Sequence, residues 1–278
     1  MSYVSLLVHL EDSNQSDCRV QLASSLAARL NARLIGVAGP TIESPMIDPS
    51  GFVKIGADAI TQQLCWADSA MKAAEMRFRN NISIASDRIE WRGVPDPAID
   101  TVLGQSSVAD LIVVGRRSST PSDTDYTALD PADVVMGCGK PVLIVPPGIS
   151  MLSDDHIVVA WSNTREARRA VIDALPFLQL ASNVSVVEVA NASEFCAAAQ
   201  RVSQVENYLN LHHVNARGYA LESIDGSVAD QIVAFAEHKH ADFLVAGGYG
   251  HAQLRERIFG GVTDALLYNC PKCCLFSH

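Results

Sequence analysis

The sequence predicts an α/β chain built of two tandem units, each a mainly parallel sheet with helices on both faces. Three observations predict it. Residues 109–115 read Ala-Asp-Leu-Ile-Val-Val-Gly and residues 241–247 read Ala-Asp-Phe-Leu-Val-Ala-Gly, an internal repeat at an offset of 132. Short apolar runs alternate with amphipathic stretches, the signature of strand, helix, strand, helix. Near the end, Phe243-Leu244-Val245-Ala246 opens into Gly247-Gly248-Tyr249-Gly250, with Gly260 and Gly261 beyond. That reads as a strand emptying into a glycine loop that ends on a helix.

The first strand is Leu6-Leu7-Val8-His9-Leu10, which matches Ile157-Val158-Val159-Ala160-Trp161 at an offset of 151, so the first copy carries 19 more residues between its first and fourth strands. Most of that excess is expected in residues 40–57, where Pro40, Pro45, Pro49, Gly51 and Gly56 break periodicity. Pro146-Pro147-Gly148 stops the first copy before Ser153-Asp154-Asp155, which gives units of residues 1–150 and 151–278. In the second copy the predicted strands are 157–161, 184–190, 214–221, 242–246 and 272–276. The predicted helices are Arg165–Leu178, Ala192–Leu211, Val228–His238 and Val262–Tyr268. Continuous apolar strands joined by helical crossovers place a ligand site at the carboxyl ends of the strands, where the glycine loop lies. Its glycines are expected to take positive φ and let the backbone approach a ligand, and the helix start beyond offers unpaired N–H groups to an anion.

Composition excludes several classes. With 278 residues, 48% hydrophobic and 19% charged, the chain can bury two cores. A net charge of −10 and a pI near 5.2 oppose a nucleic-acid backbone, and no Lys/Arg cluster reverses that locally. No apolar run reaches the roughly 18 residues of a membrane span. Met1-Ser2-Tyr3 leads into strand-like sequence rather than a basic segment and a cleavable apolar one, so a cytoplasmic location is expected. Seven cysteines, at 18, 65, 138, 196, 270, 273 and 274, are scattered through apolar segments and read as reduced, buried thiols.

Gly247-x2-Gly250-x9-Gly260, set between a strand that begins Ala-Asp and a final strand preceded by Cys270-Pro271, resembles the nucleotide-binding signature of the universal stress proteins. Ala160-Trp161-Ser162-Asn163-Thr164-Arg165-Glu166 occupies the place of that family's first strand and turn, and the resemblance covers the chain twice. It implies two Rossmann-like three-layer sandwiches with five-stranded sheets, pairing through their last strands, and an adenine nucleotide in some members. By position, Gly247, Gly250 and Gly260 would shape the phosphate and ribose loop, with Gly261, Val262 and Thr263 at the helix start. Val189 would lie near the adenine, and Ala160, Trp161, Ser162 and Asn163 would line the first strand's end.

Two positions depart from the family pattern. Gly261 stands where Ser or Thr is usual, with Thr263 a substitute two residues on, and Ser162 stands where an Asp is usual. The first copy departs further. Gly115 remains, but Ser118 and Ala128 fall where Gly250 and Gly260 would be, and the loop carries Asp123, Asp125, Asp130 and Asp133, whose repulsion of phosphate Arg116 and Arg117 offset only in part. The first copy therefore reads as a structural partner, with Glu11 or Asp12 left to bind something polar.

Other polar groups have plainer explanations. His251, Arg255 and Arg257 could reach phosphates but read first as a solvated face; His212, His213, His238 and His240 read as surface residues at helix ends. Trp161 reads as a core or pocket-wall aromatic. Cys270, Cys273, Cys274 and His278 have the count of a metal site, but adjacent Cys273 and Cys274 would point to opposite faces of a strand, so no metal is assigned. There is no Gly-x4-Gly-Lys-Ser/Thr and no Gly-x-Ser-x-Gly, so catalysis is expected at most as slow ATP hydrolysis. The leading expectation is a regulatory stress-response protein that binds ATP or AMP in its second unit, with Mg²⁺ accompanying ATP, as an intramolecular pseudo-dimer or a homodimer. The alternatives are a nucleotide-free scaffold and an enzyme acting on a small phosphorylated or adenylated ligand.

Overall fold

A computed structural model describes residues 2–11, 13–39, 57–117, 129–224, 226–250 and 261–278. Its strands are β1 (Ser5–His9), β2 (Arg33–Ala38), β3 (Ile89–Gly93), β4 (Leu111–Gly115), β5 (Val142–Val145), β6 (His156–Ala160), β7 (Asn183–Ala190), β8 (Ala216–Glu222), β9 (Phe243–Gly247) and β10 (Cys273–Ser277). They form one sheet in the order β3-β2-β1-β4-β5-β10-β9-β6-β7-β8. Read inward from either outer edge, the two sets of strands have the same order. Every pairing is parallel except β5 with β10, where Phe276 faces Val142, Leu275 faces Leu143 and Cys274 faces Ile144 in antiparallel register.

The central strands are apolar throughout because both of their faces are covered. Leu6 and Val8 of β1 face one core and Leu7 the other. Helices α1 (Asn14–Arg29), α2 (Ala57–Asn80), α5 (Arg165–Leu178) and α6 (Phe195–Leu211) cover the first face, through Val20, Leu26, Phe78, Phe177 and Leu209. Helices α3 (Ala98–Gln105), α4 (Pro131–Gly137), α7 (Val228–His238) and α8 (Gly261–Asn269) cover the second, through Val102, Val134, Ile232 and Leu266. Part of the first copy's extra length lies in helix rather than loop, since α2 has 24 residues and its counterpart α6 has 17. Residues 40–56, where most of the excess was expected, lie outside the described residues.

Local chemistry sets the helix ends. Thr164 caps α5 by accepting from the Ala167 N–H at 3.2 Å, Ser227 caps α7 by accepting from Ala229, and Asp130 caps α4 by accepting from Ala132 with Pro131 at the first helical position. At the other ends, Asn31, His213 and His240 turn the chain out of α1, α6 and α7 with φ of 54°, 62° and 53°. The next amide in each case bonds back five residues, Ala32 to Ala27, Val214 to Leu209 and Ala241 to Ala236. His213 and His240 are thus helix terminators.

Two groups of contacts hold the strand sets together around the β5–β10 junction. On one face the Tyr3 hydroxyl donates to the Asp173 carbonyl, the Tyr3 ring lies edge-on to Phe177 at 5.5 Å, and Arg29 pairs with Asp154 at 3.0 Å. On the other face the Tyr268 hydroxyl donates to Asp130 Oδ1 at 2.7 Å across the α4–α8 contact. Leu275, fully buried between Val245 and Leu143, sits at the centre. Leu275→Ala should cost about 2–5 kcal/mol and lower the thermal midpoint by several degrees in calorimetry; an unchanged midpoint would mean that the junction carries little of the stability.

Candidate functional site

The carboxyl ends of β6, β7 and β9 bring together most of the residues singled out by sequence. Ala160 ends β6 in register with Val187 on one side and Ala246 on the other. The Trp161 N–H donates to the Val187 carbonyl at 2.8 Å, while its indole Nε1 is buried and has no partner. Ser162 and Asn163 are exposed; Ser162 Oγ lies 3.4 Å from Thr164 Oγ1, and Asn163 Oδ1 accepts from Arg168 at 2.6 Å. Val189, half-buried near the end of β7, packs on the second core. Gly247, Gly250 and the start of α8 complete this edge. Gly260 lies outside the described residues, as do His251, Arg255 and Arg257.

The loop glycines act differently from the expectation. None of Gly247, Gly248, Gly250 or Gly261 has positive φ; among the described residues of the loop the left-handed one is Tyr249, at 54°. The first three are needed because the protein's own atoms press against them. A Cβ on Gly247 would stand 2.5 Å from the Ala167 nitrogen, one on Gly248 would stand 2.7 Å from Val135 Cγ1, and one on Gly250 would stand 2.7 Å from Thr164 Oγ1 and 2.9 Å from Glu166 Oε2. Close approach is the reason for glycine here, but the approaching groups are the first turn of α5 and the side of α4. At Gly261, by contrast, no atom of the described residues lies within 4 Å of where a Cβ would go.

Tyr249 ties the loop to α8. Its N–H donates to Thr263 Oγ1 at 3.3 Å and its hydroxyl donates to Asp264 at 2.8 Å, while Gly248 N–H donates to the Ser277 carbonyl. Thr263 is therefore a buried bracket for the loop, and Gly261 and Val262 are the more accessible residues of the helix start. Beneath Gly250 lies Glu166, a buried carboxylate paired with Arg165 at 2.9 Å. Nothing in the sequence set Glu166 apart from a surface residue of a first helical turn.

The first copy's edge is closed by a buried arginine. Arg19 of α1, 3% exposed, donates through Nε to the His9 carbonyl at 2.9 Å and through Nη2 to Ser16 Oγ at 2.9 Å and Glu11 Oε1 at 3.3 Å. Its Nη1 stands 1.9 Å from where a Gly115 Cβ would be, so Gly115 exists to admit the guanidinium. Burial alone would raise the Glu11 carboxyl, yet the Arg19 charge, then His9 and the hydrogen bonds from Arg19 and Ser13, hold it below its ordinary value. Glu11 is thus a partner of Arg19 rather than a free acceptor, and Asp12 lies outside the described residues. Asp130 is likewise engaged, as the α4 cap, with Tyr268 and with Arg117 at 3.4 Å, and Arg116 donates to the Cys270 carbonyl at 2.8 Å. Of the carboxylates and arginines read as facing phosphate there, Asp130, Arg116 and Arg117 are thus engaged in structural pairings. Asp133 is exposed and has a partner; Ser118, Asp123, Asp125 and Ala128 lie outside the described residues.

Cys273 and Cys274 fall on opposite faces of β10, as their adjacency requires. Among the described residues no three His, Cys, Asp or Glu are grouped to hold a metal, and no helix is long and apolar enough to cross a membrane.

With this geometry in view, residues 155–277 match the sequence profile of the universal stress protein family. They are a universal stress protein domain. Over its whole length the chain is similar in fold to a universal stress protein from Archaeoglobus fulgidus DSM 4304, with a TM-score of 0.71 and 15% identity, covering 98% of this chain and 95% of that one. It is similar also to a functionally unknown protein from Pseudomonas aeruginosa PAO1, with a TM-score of 0.58 and 15% identity over 99% and 92% of the two chains. No curated protein matches it by sequence. The domain's glycine loop, Tyr249 bracket and α8 start are thus placed in a known fold, and the Arg19 wedge belongs to the half that the profile does not reach.

His9 gives the wedge a pH signature. Burial, and then the Arg19 charge, push its imidazole down from 6.5 to about 4. Below pH 6.5 the unfolded chain takes up a proton that the folded chain refuses, so stability is full above 6.5 and falls as pH drops towards 4, by up to ~1.4 kcal/mol per pH unit. His9→Gln should flatten the fall of the melting temperature across that window; His156, also held low by burial, keeps some slope. An equal slope in the variant would show His9 protonated in the folded chain.

Proposed function

We propose that the chain binds an adenine nucleotide, ATP or AMP, in its second half, and that it serves a stress-related regulatory role rather than a metabolic one. We take residues 1–150 and 151–278 as the two units, joined as an intramolecular pseudo-dimer through β5 and β10. The single observation that carries the reading is the open start of α8 at Gly261, at the carboxyl edge of a universal stress protein domain. Unpaired N–H groups of a helix's first turn favour phosphate, and among the described residues no atom lies within 4 Å of where a Gly261 Cβ would be. Trp161 and Val189, both partly buried at the same edge, are apolar surface for a base. Ser162 and Asn163, both exposed, are the polar groups within reach of a ribose. In the first half Arg19 fills the corresponding wedge, which supports one site per chain.

A nucleotide-free interaction protein is the second reading, and a specific observation favours it. The polar groups nearest the loop satisfy one another: Thr263 holds Tyr249, Thr164 caps α5, and the buried Glu166 carboxylate places negative charge under Gly250. Slow ATP hydrolysis is tested alongside binding, with and without Mg²⁺.

Substitution of Gly247 or Gly250 would disturb α5 directly, so Gly261→Ser is the informative change. Its new side chain meets no atom of the described residues, and its hydroxyl can donate to phosphate; a hydrogen bond to a charged group contributes ~1.5–3 kcal/mol, or about tenfold or more in affinity. Calorimetric titration with ATP and with AMP should give about one site per chain and tighter binding in Gly261→Ser. At ~100 times Kd the ligand should stabilise the chain by ~2.7 kcal/mol. Two equivalent sites would remove the asymmetry, and absence of binding in both proteins would establish the nucleotide-free reading.

A further inference from the structure

The sheet ends on β3 at one side and on β8 at the other, and the two edges are finished differently. β8 closes the middle of its own edge. The Ser223 N–H donates to the Ala190 carbonyl of β7, so by alternation Gly218 turns its backbone outward, and there its N–H donates to the Glu206 carboxylate of α6 at 2.7 Å. Among the described residues β3 has no such cover. The Val94 N–H donates to the Ala38 carbonyl of β2 at 3.0 Å, so Glu90 and Arg92 turn their backbone groups towards β2, while Ile89, Trp91 and Gly93 turn theirs away from it. The Ile89 N–H is taken by the Ser86 carbonyl. The N–H groups of Trp91 and Gly93 and the carbonyls of Ile89 and Trp91 have no partner among the described residues.

The side chains of this strand complement a second copy of themselves. With two β3 strands antiparallel about a two-fold axis at Trp91, Glu90 of each copy stands opposite Arg92 of the other, in the non-hydrogen-bonded pairs where side chains come closest. Within one chain Glu90 lies 2.6 Å from Arg92 and 3.2 Å from Arg33 of β2, and the hydrogen bond from Arg92, against burial, holds the Glu90 carboxyl below its ordinary value. Both Glu90 and Arg92 are 28% exposed, which leaves their charges open to a neighbour. On the first face Trp91, whose ring lies 5.5 Å from Phe78, meets Trp91 of the other copy. Ile89 meets Gly93, which has no side chain to oppose it. Sliding the strands by two residues either way sets Glu90 against Glu90 or Arg92 against Arg92, so charge selects the register.

We propose that two copies of the chain pair through β3, antiparallel about a two-fold axis, so that their sheets run on into one another. The Trp91 N–H of each copy donates to the Trp91 carbonyl of the other, and the Gly93 N–H to the Ile89 carbonyl. A stable dimer buries ~1,200–2,000 Å², more than one short strand pair supplies. The remainder comes from α2, which packs on β2 and β3 and exposes Leu64, Trp66 and Met76. This surface lies across the β5–β10 junction from the glycine loop, so it stands or falls independently of the nucleotide reading.

The full-length chain is measured by sedimentation equilibrium between about 1 and 100 µM, where a weak dimer assembles. The wild type should approach twice the chain mass of 29.8 kDa. Arg92→Glu and Glu90→Arg each set like charges opposite one another at both ends of the pairing, and each should weaken the dimer by about tenfold or more. Mixed in equal amounts, the two variants present carboxylates to cations and should recover the dimer as a one-to-one heterodimer, a rescue that a folding defect would not show. Should the variants fail to fold, hydrogen exchange on the wild type decides: the amides of Trp91 and Gly93 should exchange more slowly as concentration rises, while that of Ala220, outward on β8, does not change. A wild type that stays monomeric at about 100 µM, a dimer that both variants leave unchanged, folded variants that do not recover it on mixing, or exchange at Trp91 and Gly93 independent of concentration would overturn the proposal.

Discussion

The antiparallel pairing of β5 with β10 decides what the rest of the molecule can do. Each set of five strands is parallel and ends its strands on one edge, but because the two sets meet antiparallel, those edges face opposite ways. A ligand at the end of β6 and β9 therefore lies across the sheet from the Arg19 wedge at the end of β1 and β4. Neither edge can complete the other's site, and each must close or open with its own residues. The junction does link each edge to the other half's helix: Val135 of α4 leans on Gly248, and Tyr268 of α8 bonds to Asp130 at the cap of α4. What crosses the junction is packing and hydrogen bonding on helix flanks.

Glycine in this fold marks crowding more than conformational freedom. Gly115 and Gly247 stand at the same repeat position, and each yields to α1 or α5, yet different groups press on them: a guanidinium in one copy, the α5 backbone in the other. Arg19 itself corresponds by the offset of 151 to Ala170, which is fully buried. A large cation in α1 thus takes the space that a helix turn takes in the second half. Because Arg19 needs acceptors once buried, it draws in Glu11, Ser16 and the His9 carbonyl, and those groups are spent. The polarity of the first edge is consumed by its own wedge.

Much of the fold was legible because burial on both sheet faces leaves a continuous apolar imprint: the runs at 157–161 and 242–246 fall within a residue of β6 and β9. The repeat was legible for the same reason, since Ala-Asp before an apolar run recurs where Asp110 and Asp242 accept backbone N–H groups at the starts of the neighbouring strands, Val4 and His156. The site was less legible. Spacing located the glycine loop but could not say whose atoms approach it, because that depends on where α5 and α4 lie in space. Tyr249 gave no sign of taking the left-handed conformation, and Glu166 looked like any acidic residue of a first helical turn. Arg19 left a faint signal, its position between Ser16 and Ala23 on the buried side of α1, which helical spacing could have raised.

The two halves thus diverged at opposite ends of the same helical scaffold. In the first, α1 reaches inward with Arg19 and seals the strand ends. In the second, small residues let α5 come close, Thr164 and Glu166 fill the gap over Gly250, and the open position moves outward to the start of α8. That displacement matters, because α8 is the element that also leads into β10. Its first turn stands at the glycine-loop edge and its last turn at the junction, so a group that bonds at either end acts on the same nine-residue helix. The helix is fixed between those ends by the bonds of Tyr249 to Thr263 and Asp264 near its start and of Tyr268 to Asp130 near its end. A short helix held in this way has few internal turns to absorb movement between the glycine-loop edge and the other half of the chain.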